Sequence, residues 1–256
     1  MKNFGREVEN RLASNGSNSL LKAAAADFLV EATTPQYSYN FTFLGRPIIQ
    51  YPQDMVAIQE IIWEVKPDLI VETGIAHGGS LIMSAGMLAL VDLCDAIESG
   101  SGLDPTLPNR RVLGVDIDIR PHNRAAVEAH PMSSRIEMIE GPSTSPNVAS
   151  RVRQMAAEFD RVMVFLDSNH THDHVLEELE IYAPLVSVGS YCVVFDTVIE
   201  DLPGSMFPDR PWGPGNNPKT AVREFLGTHP EFEIDKKIDH QLLISVAPDG
   251  YLKRTS

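Results

Sequence analysis

Cysteine is scarce in this 256-residue chain: Cys94 and Cys192 are the only two, and their spacing suggests neither a disulfide framework nor a zinc site. Positive charge is also in short supply. Against 35 acidic residues stand 21 Lys and Arg, for a formal net charge of -14, so the chain lacks the basic footprint that attraction to nucleic acid or an anionic membrane requires. Long apolar runs are missing too. The longest mostly apolar stretch, Leu81 to Leu93, falls short of the roughly 20 residues that span a bilayer, and the stretch from Met1 to Glu9 has no apolar signal-peptide core. The expectation is a cytoplasmic protein with small-molecule partners. With 43% hydrophobic residues, the chain can bury a sizeable core as one elaborated α/β domain.

The first 66 residues read as a helical extension and substrate-side segment. Helices are expected over Val8 to Thr33 and Pro52 to Val65, separated by an aromatic-rich stretch, Tyr37 to Tyr51, suited to packing across a sheet edge or walling a pocket. From residue 67 to 256, apolar strand patterns alternate with helical ones, the signature of a parallel sheet covered on both faces. Strands are expected at Leu69 to Thr73, Val112 to Asp116, Ile136 to Glu140, Val162 to Asp167 and Tyr191 to Asp196, with helices near 79–93, 121–130, 146–158, 172–186 and 218–227. Phe232 to Ile238 and Leu242 to Val246 flank Asp239-His240-Gln241 and read as an antiparallel hairpin. Five parallel strands with an antiparallel pair give the outline of a Rossmann-like, seven-stranded class I methyltransferase sheet.

Chemistry-bearing residues gather at the strand ends. The first strand runs into Glu72-Thr73-Gly74-Ile75-Ala76-His77-Gly78-Gly79-Ser80, where glycines admit backbone amides to a ligand and a helix N-terminus offers its positive dipole end. Ala76 occupies the second glycine slot of a dinucleotide fingerprint, so the turn suits a nucleotide without matching that motif. Asp116, ending the second strand, can hold a ribose diol, and Ser143, after Glu140-Gly141-Pro142, can bond an adenine edge. The fourth strand delivers Asp167-Ser168-Asn169-His170-Thr171-His172-Asp173-His174. Asp167 can bind a hard cation and His170 can remove a hydroxyl proton near neutral pH, while His172 and His174 read as helix-start residues. Asp196, from the adjacent fifth strand, lies within reach of the same ion, with Glu200 and Asp201 a turn later. The Pro/Gly-rich stretch Pro203 to Pro218 reads as a lid, with Arg210, Trp212, Asn216, Asn217 and Lys219 facing a polar acceptor.

Gly45 to Asp54, Val71 to Ser80, Val115 to Asp118 and Leu166 to His170 together resemble the cephalosporin hydroxylase and rhamnosyl O-methyltransferase family over roughly residues 40–227. The resemblance implies an S-adenosylmethionine-dependent O-methyltransferase acting on a hydroxyl of a sugar, glycan or glycosylated natural product, with Mg²⁺ or another divalent cation. On that reading Glu72, Gly74, His77, Gly78, Ser80, Asp116, Ser143 and Asp167 form the cofactor site, and His170 is the general base acting with Asp167. Asp167 and Asp196 are the metal ligands. Similar enzymes end the fifth strand in a Glu-Asp pair; here it reads Phe195-Asp196, so Glu200 or Asp201 is the candidate third ligand. Relatives form homo-oligomers, which is the expectation here. Two other readings are an Fe(II) oxygenase built from Asp167 and two of the histidines, and a non-catalytic ligand-binding domain.

Overall fold

The computed structural model describes residues 2–256, with side chains from Phe4 onward. At its centre lie strands whose sequences are runs of Leu, Ile, Val and Met. Such runs suit strands covered on both faces, and β3 (Leu69–Thr73) and β6 (Val162–Leu166) are buried throughout. β4 (Arg111–Asp116) and β5 (Ile136–Glu140) extend the sheet on one side, and β7 (Tyr191–Val194) on the other, all parallel. Beyond β7 come β9 (Tyr251–Arg254) and then β8 (Phe232–Ile234), both in antiparallel pairings, so the order is β5-β4-β3-β6-β7-β9-β8. A separate hairpin pairs β1 (Phe41–Phe43) with β2 (Arg46–Ile48).

Helices cover both faces. On one, α6 (Pro146–Ala156), α7 (His172–Tyr182) and α8 (Pro218–Leu226) bury Val152, Leu179, Tyr182 and Phe225 against Val71, Val164 and Val194. On the other, α3 (Pro52–Val65) and α4 (Gly79–Ser99) bury Ile58, Ile62, Leu81 and Leu88 against Ile70, Met163 and Val193. The short α5 (Pro121–Glu128) follows β4. α4 runs six residues beyond the apolar stretch read from the sequence. By length and composition it could cross a membrane, yet half of its apolar window is buried inside the protein.

The two ends of the chain depart from expectation. The first helix is two: α1 (Lys2–Ser17) and α2 (Ser19–Thr33), broken at Asn18, whose side chain accepts from the Leu21 amide at 3.0 Å and caps α2. The C-terminal antiparallel pair is present, but not as the expected hairpin. Lys236–Leu242 is a helix, α9, capped by Asp235. Ile238 and Leu242, four residues apart, both pack on the α3–α4 side of the sheet, a helical spacing that the strand reading mistook for alternation. The real partner of β8 is Tyr251–Arg254, whose Lys-Arg ending conceals the buried Tyr251 and Leu252.

Asp54, in the first turn of α3, joins the chain ends. Fully buried, it accepts from Ser245 Oγ at 2.6 Å, Tyr251 Oη at 2.8 Å and the Val246 amide at 2.9 Å. Burial pushes its carboxyl up to about 6, with those three donors pulling the other way. The folded protein therefore holds this proton more tightly than the unfolded chain does. The resulting contribution to stability is present below pH about 4 and is lost as the pH rises through about 6, amounting to about 3 kcal/mol. Chemical denaturation between pH 4 and 7 should show that loss in the wild type and a flatter profile in Asp54→Asn; parallel profiles would exclude the carboxyl as its source.

Candidate active site

The register of β3 against β6 brings two strand ends together. Asp167 donates its amide to the Thr73 carbonyl at 2.9 Å, and Gly74 donates to Val115 at 2.8 Å. Gly74 has φ of +91°, and a Cβ there would lie 2.0 Å from the Asp167 carbonyl oxygen. Only glycine meets both demands. Gly78 (φ +80°) then starts α4, whose N-terminus faces the cavity through Gly79 and Ser80.

The turn between them is clamped from outside. Asp116 accepts from the Ile75 amide at 2.7 Å and the Ala76 amide at 3.3 Å, and its second oxygen from Asp118 at 3.1 Å. Arg46 donates to the His77 carbonyl, and Asn123 donates to the Ala76 carbonyl at 2.8 Å and accepts from Arg46 at 3.2 Å. Asp116, expected on a ribose, here spans the glycine turn. Ser143 is buried, with its hydroxyl 3.3 Å from His174 Nε2 and its carbonyl accepting from Tyr182 Oη. Neither lines the cavity, whereas Gly74, His77, Ser80 and Asp167 do, and Glu72 lines a smaller chamber at its inner end.

The cavity measures about 850 Å³. One wall is the aromatic-rich segment, which contributes Ser38, Tyr39, Gln50 and Tyr51; the opposite wall is the loop with Met206, Phe207, Arg210 and Trp212. Asp167, His170 and Asp196 meet between them, each offering a ligand atom within 4.8 Å of the others. His170 Nδ1 stands 3.3 Å from Asp196 Oδ2, and the Trp212 ring meets the imidazole edge-on at 4.9 Å between centroids. Arg210 lies over that indole, 5.1 Å from its centroid. Asp196 adopts φ of +56°, a left-handed conformation whose cost is accepted where a side chain must be aimed.

Burial, and then the like charges of Asp196 and Glu72, hold the Asp167 carboxyl well above the ordinary range. Glu72, 2% exposed, accepts from Ser84 Oγ, yet burial still pushes it up to about 7. Acids crowded and desolvated in this way favour an arriving cation.

Several expected participants lie elsewhere. Glu200 accepts from the Gly215 amide at 2.8 Å and from Asn217 and Arg223, and Asp201 pairs with Lys219 at 2.5 Å. Neither joins the Asp167 cluster, where His170 supplies the third donor atom. Phe195 is buried edge-on to Phe165 at 6.1 Å between centroids, an aromatic contact in the place of a carboxylate. Of the five lid residues expected to face the acceptor, only Arg210 and Trp212 line the cavity. Asn217 caps α8, Asn216 accepts from the His172 amide, and Lys219 is buried between Asp201 and Asp249. His172 pairs with Thr220 and Glu224, and His174 with Ser143, Ser168 and Glu178. The two-histidine, one-carboxylate set of an iron oxygenase is thus not assembled from them among the described residues. Gln50 was given no role by motif reasoning; its signals were its place in the aromatic-rich segment flagged as a possible pocket wall and in the Gly45 to Asp54 stretch of the family resemblance.

A seven-stranded sheet in this order, with a glycine turn after its first strand and an acid after its second, is the class I S-adenosylmethionine-dependent methyltransferase fold. Residues 35–255 match the family model described as Rhamnosyl O-methyltransferase/CmcI, and the chain belongs to that family. It is an O-methyltransferase of the S-adenosylmethionine-dependent class. The rhamnosyl O-methyltransferase of Mycobacterium leprae (strain TN) is 29% identical over 234 residues, 89% of this chain and 91% of that protein. A rhamnosyl O-methyltransferase of Mycobacterium tuberculosis is 27% identical over 219 residues, 83% and 78% of the respective lengths. Two solved structures share the fold at TM-score 0.55: CmcI without ligand, at 17% identity over 85% of this chain and 77% of that one, and CmcI with Mg and SAM, at 18% identity over 85% and 78%.

The convergent carboxylates define a measurable expectation. Mn²⁺ or Mg²⁺ titrated calorimetrically into the protein should bind, and Asp167→Asn and Asp196→Asn should each weaken binding by about 10-fold or more. Glu200→Gln should leave it unchanged; an equal loss there would reassign the site.

Proposed function

We propose that this enzyme methylates a hydroxyl of a sugar, glycan or glycosylated natural product, with His170 as general base and a divalent ion held by Asp167 and Asp196. The observation that carries the reading is the convergence of Asp167, His170 and Asp196 in a cavity whose inner side is the glycine turn. Relatives named for rhamnosyl O-methylation and a like-folded protein bound to Mg and SAM point the same way.

The residues fit both groups. Gly74 lets the chain pass close to the ligand, and Gly79 and Ser80 at the start of α4 offer backbone amides, Ser80 a hydroxyl and Glu72 an acid for the cofactor's amino-acid end. Asp167 and Asp196 offer the hard oxygen donors that Mg²⁺ prefers. When bound, S-adenosylmethionine supplies a methyl group on a good leaving group, and the ion supplies positive charge to orient the acceptor oxygen.

The remaining work falls to the protein. His170 keeps Nδ1 toward Asp196, which leaves Nε2 to take the acceptor's proton and places a carboxylate beside the imidazolium that forms. Trp212 limits the swing of the His170 ring from its edge, and Arg210 covers the indole. Holding the oxygen in line for attack is the larger contribution, because it converts a bimolecular encounter into an oriented one. The cavity's mixed lining suits an acceptor with both hydroxyls and apolar surface: Tyr39, Tyr51, Phe207 and Trp212 offer aromatic surface, and Ser38, Gln50 and Arg210 polar contacts.

Isothermal titration with S-adenosylmethionine tests the first step; no heat of binding at millimolar ligand would sink the scheme. A methyl-uptake screen over nucleotide sugars, glycans and polyketide glycosides should identify the acceptor. With an acceptor found, His170→Ala should keep cofactor affinity within about twofold and lower turnover by about 10²- to 10⁴-fold. Full retained turnover would remove His170 from the chemistry.

A further inference from the structure

The acceptor cavity is electrically lopsided. Asp167 and Asp196 stand at its centre, and Gln50, 3% exposed, adds an Oε1 that lacks a donor. These oxygens accept hydrogen bonds from the hydroxyls of an incoming molecule, and the two carboxylates repel an anion. Two carboxylates also balance one divalent ion, so a bound metal leaves no surplus of positive charge there. Arg210, on the wall formed by the loop after β7, is the one Lys or Arg that lines the cavity among the described residues.

In a chain with 35 acidic residues against 21 Lys and Arg, cations find partners readily. Just past the same loop, Lys219 pairs with Asp201 and Asp249, and Arg223 with Glu200. Arg210 has no carboxylate partner among the described residues; it is exposed, and its guanidinium lies 5.1 Å from the centre of the Trp212 ring. Stacking on an indole steadies the guanidinium and leaves its N–H donors unspent. The same indole meets the His170 ring at 4.9 Å, so the guanidinium carbon is within about 10 Å of the imidazole centre. One sugar ring bearing an acidic substituent reaches both.

Building on the acceptor reading above, we propose that the acceptor carries an anionic group, a carboxylate or a phosphate, and that Arg210 binds it. The planar fork of guanidinium donors matches either oxyanion two bonds at a time. With the anion held at the loop wall and turned away by the acids at the centre, the molecule enters with its hydroxyls toward His170. Arg210 thereby selects acidic acceptors over neutral ones.

The test uses the full chain, S-adenosylmethionine and matched acceptors: the methyl glycoside, the methyl hexuronide and the 1-phosphate in the glucose, galactose and mannose series. In at least one series, wild type should methylate an acidic member with kcat/KM about 10-fold or more above that of its neutral counterpart, the scale of a hydrogen bond to a charged group. Whichever acidic arm wins identifies the group as carboxylate or phosphate. Arg210→Gln should raise KM for that member about 10-fold while kcat stays within about twofold. Arg210→Lys, which keeps the charge but not the fork, should recover part of the loss. Uptake into the neutral counterpart should stay within about twofold in both variants. Neutral members used as well as acidic ones by wild type overturn the inference, as do an equal loss on every acceptor in Arg210→Gln and an absence of uptake into any acidic member. Protein that binds S-adenosylmethionine yet gives one of those results leaves the methyl-transfer reading standing; failure to bind it overturns both.

Discussion

Everything in this site depends on how closely β3 and β6 approach at their ends. Gly74 lies against the Asp167 backbone with no room for a side chain, and that contact sets the turn that starts α4 next to the residues that follow β6. A larger residue at 74 would push the two strand ends apart. The glycine turn would then separate from Asp167 and His170. The glycine turn and the Asp167–His170 pair share one cavity because two central, fully buried strands hold their register.

That proximity has an electrostatic consequence. Glu72, Asp167 and Asp196 come from three neighbouring strand ends, and burial raises the first two. Carboxylates gathered out of water repel one another and are poorly solvated. Stability gains little from this, but the arrangement is ready for positive charge, whether a metal ion, an ammonium or the imidazolium of His170. Phe195 sharpens the point: it removes one carboxylate from the group and fills the space with an aromatic contact to Phe165, so the charge is concentrated on Asp167 and Asp196.

The cavity walls come from distant parts of the chain. The segment before α3 and the loop after β7 both reach over the ends of the parallel strands, the edge where open α/β sheets bind ligands. Asp54 ties α3 to Ser245, Val246 and Tyr251, and this link anchors the N-terminal wall to the far side of the sheet. α1 rests on α9 at the same end, where Asn15 donates to the His240 carbonyl at 3.3 Å.

The central strands were legible in the sequence because a strand buried on both faces must be apolar throughout, and Val162-Met163-Val164-Phe165-Leu166 has no other good use. Asp167 and His170 were legible for a related reason: polar residues directly after such a strand must emerge at the sheet's ligand-binding edge. The C-terminal end was misread because Ile238 and Leu242 fit two periods over so short a span, and because β9 takes its place from pairing with β7 and β8 rather than from its own pattern. Side-chain partners were not readable at all. Whether Glu200 faces a metal or Asn217, whether Trp212 meets His170, and whether Gln50 is buried without a donor all depend on chain segments brought together from far apart. Local sequence determined which residues stand at the strand ends, through burial and period; tertiary packing alone decided which of them face each other, because only close packing sets distances between side chains remote in the chain.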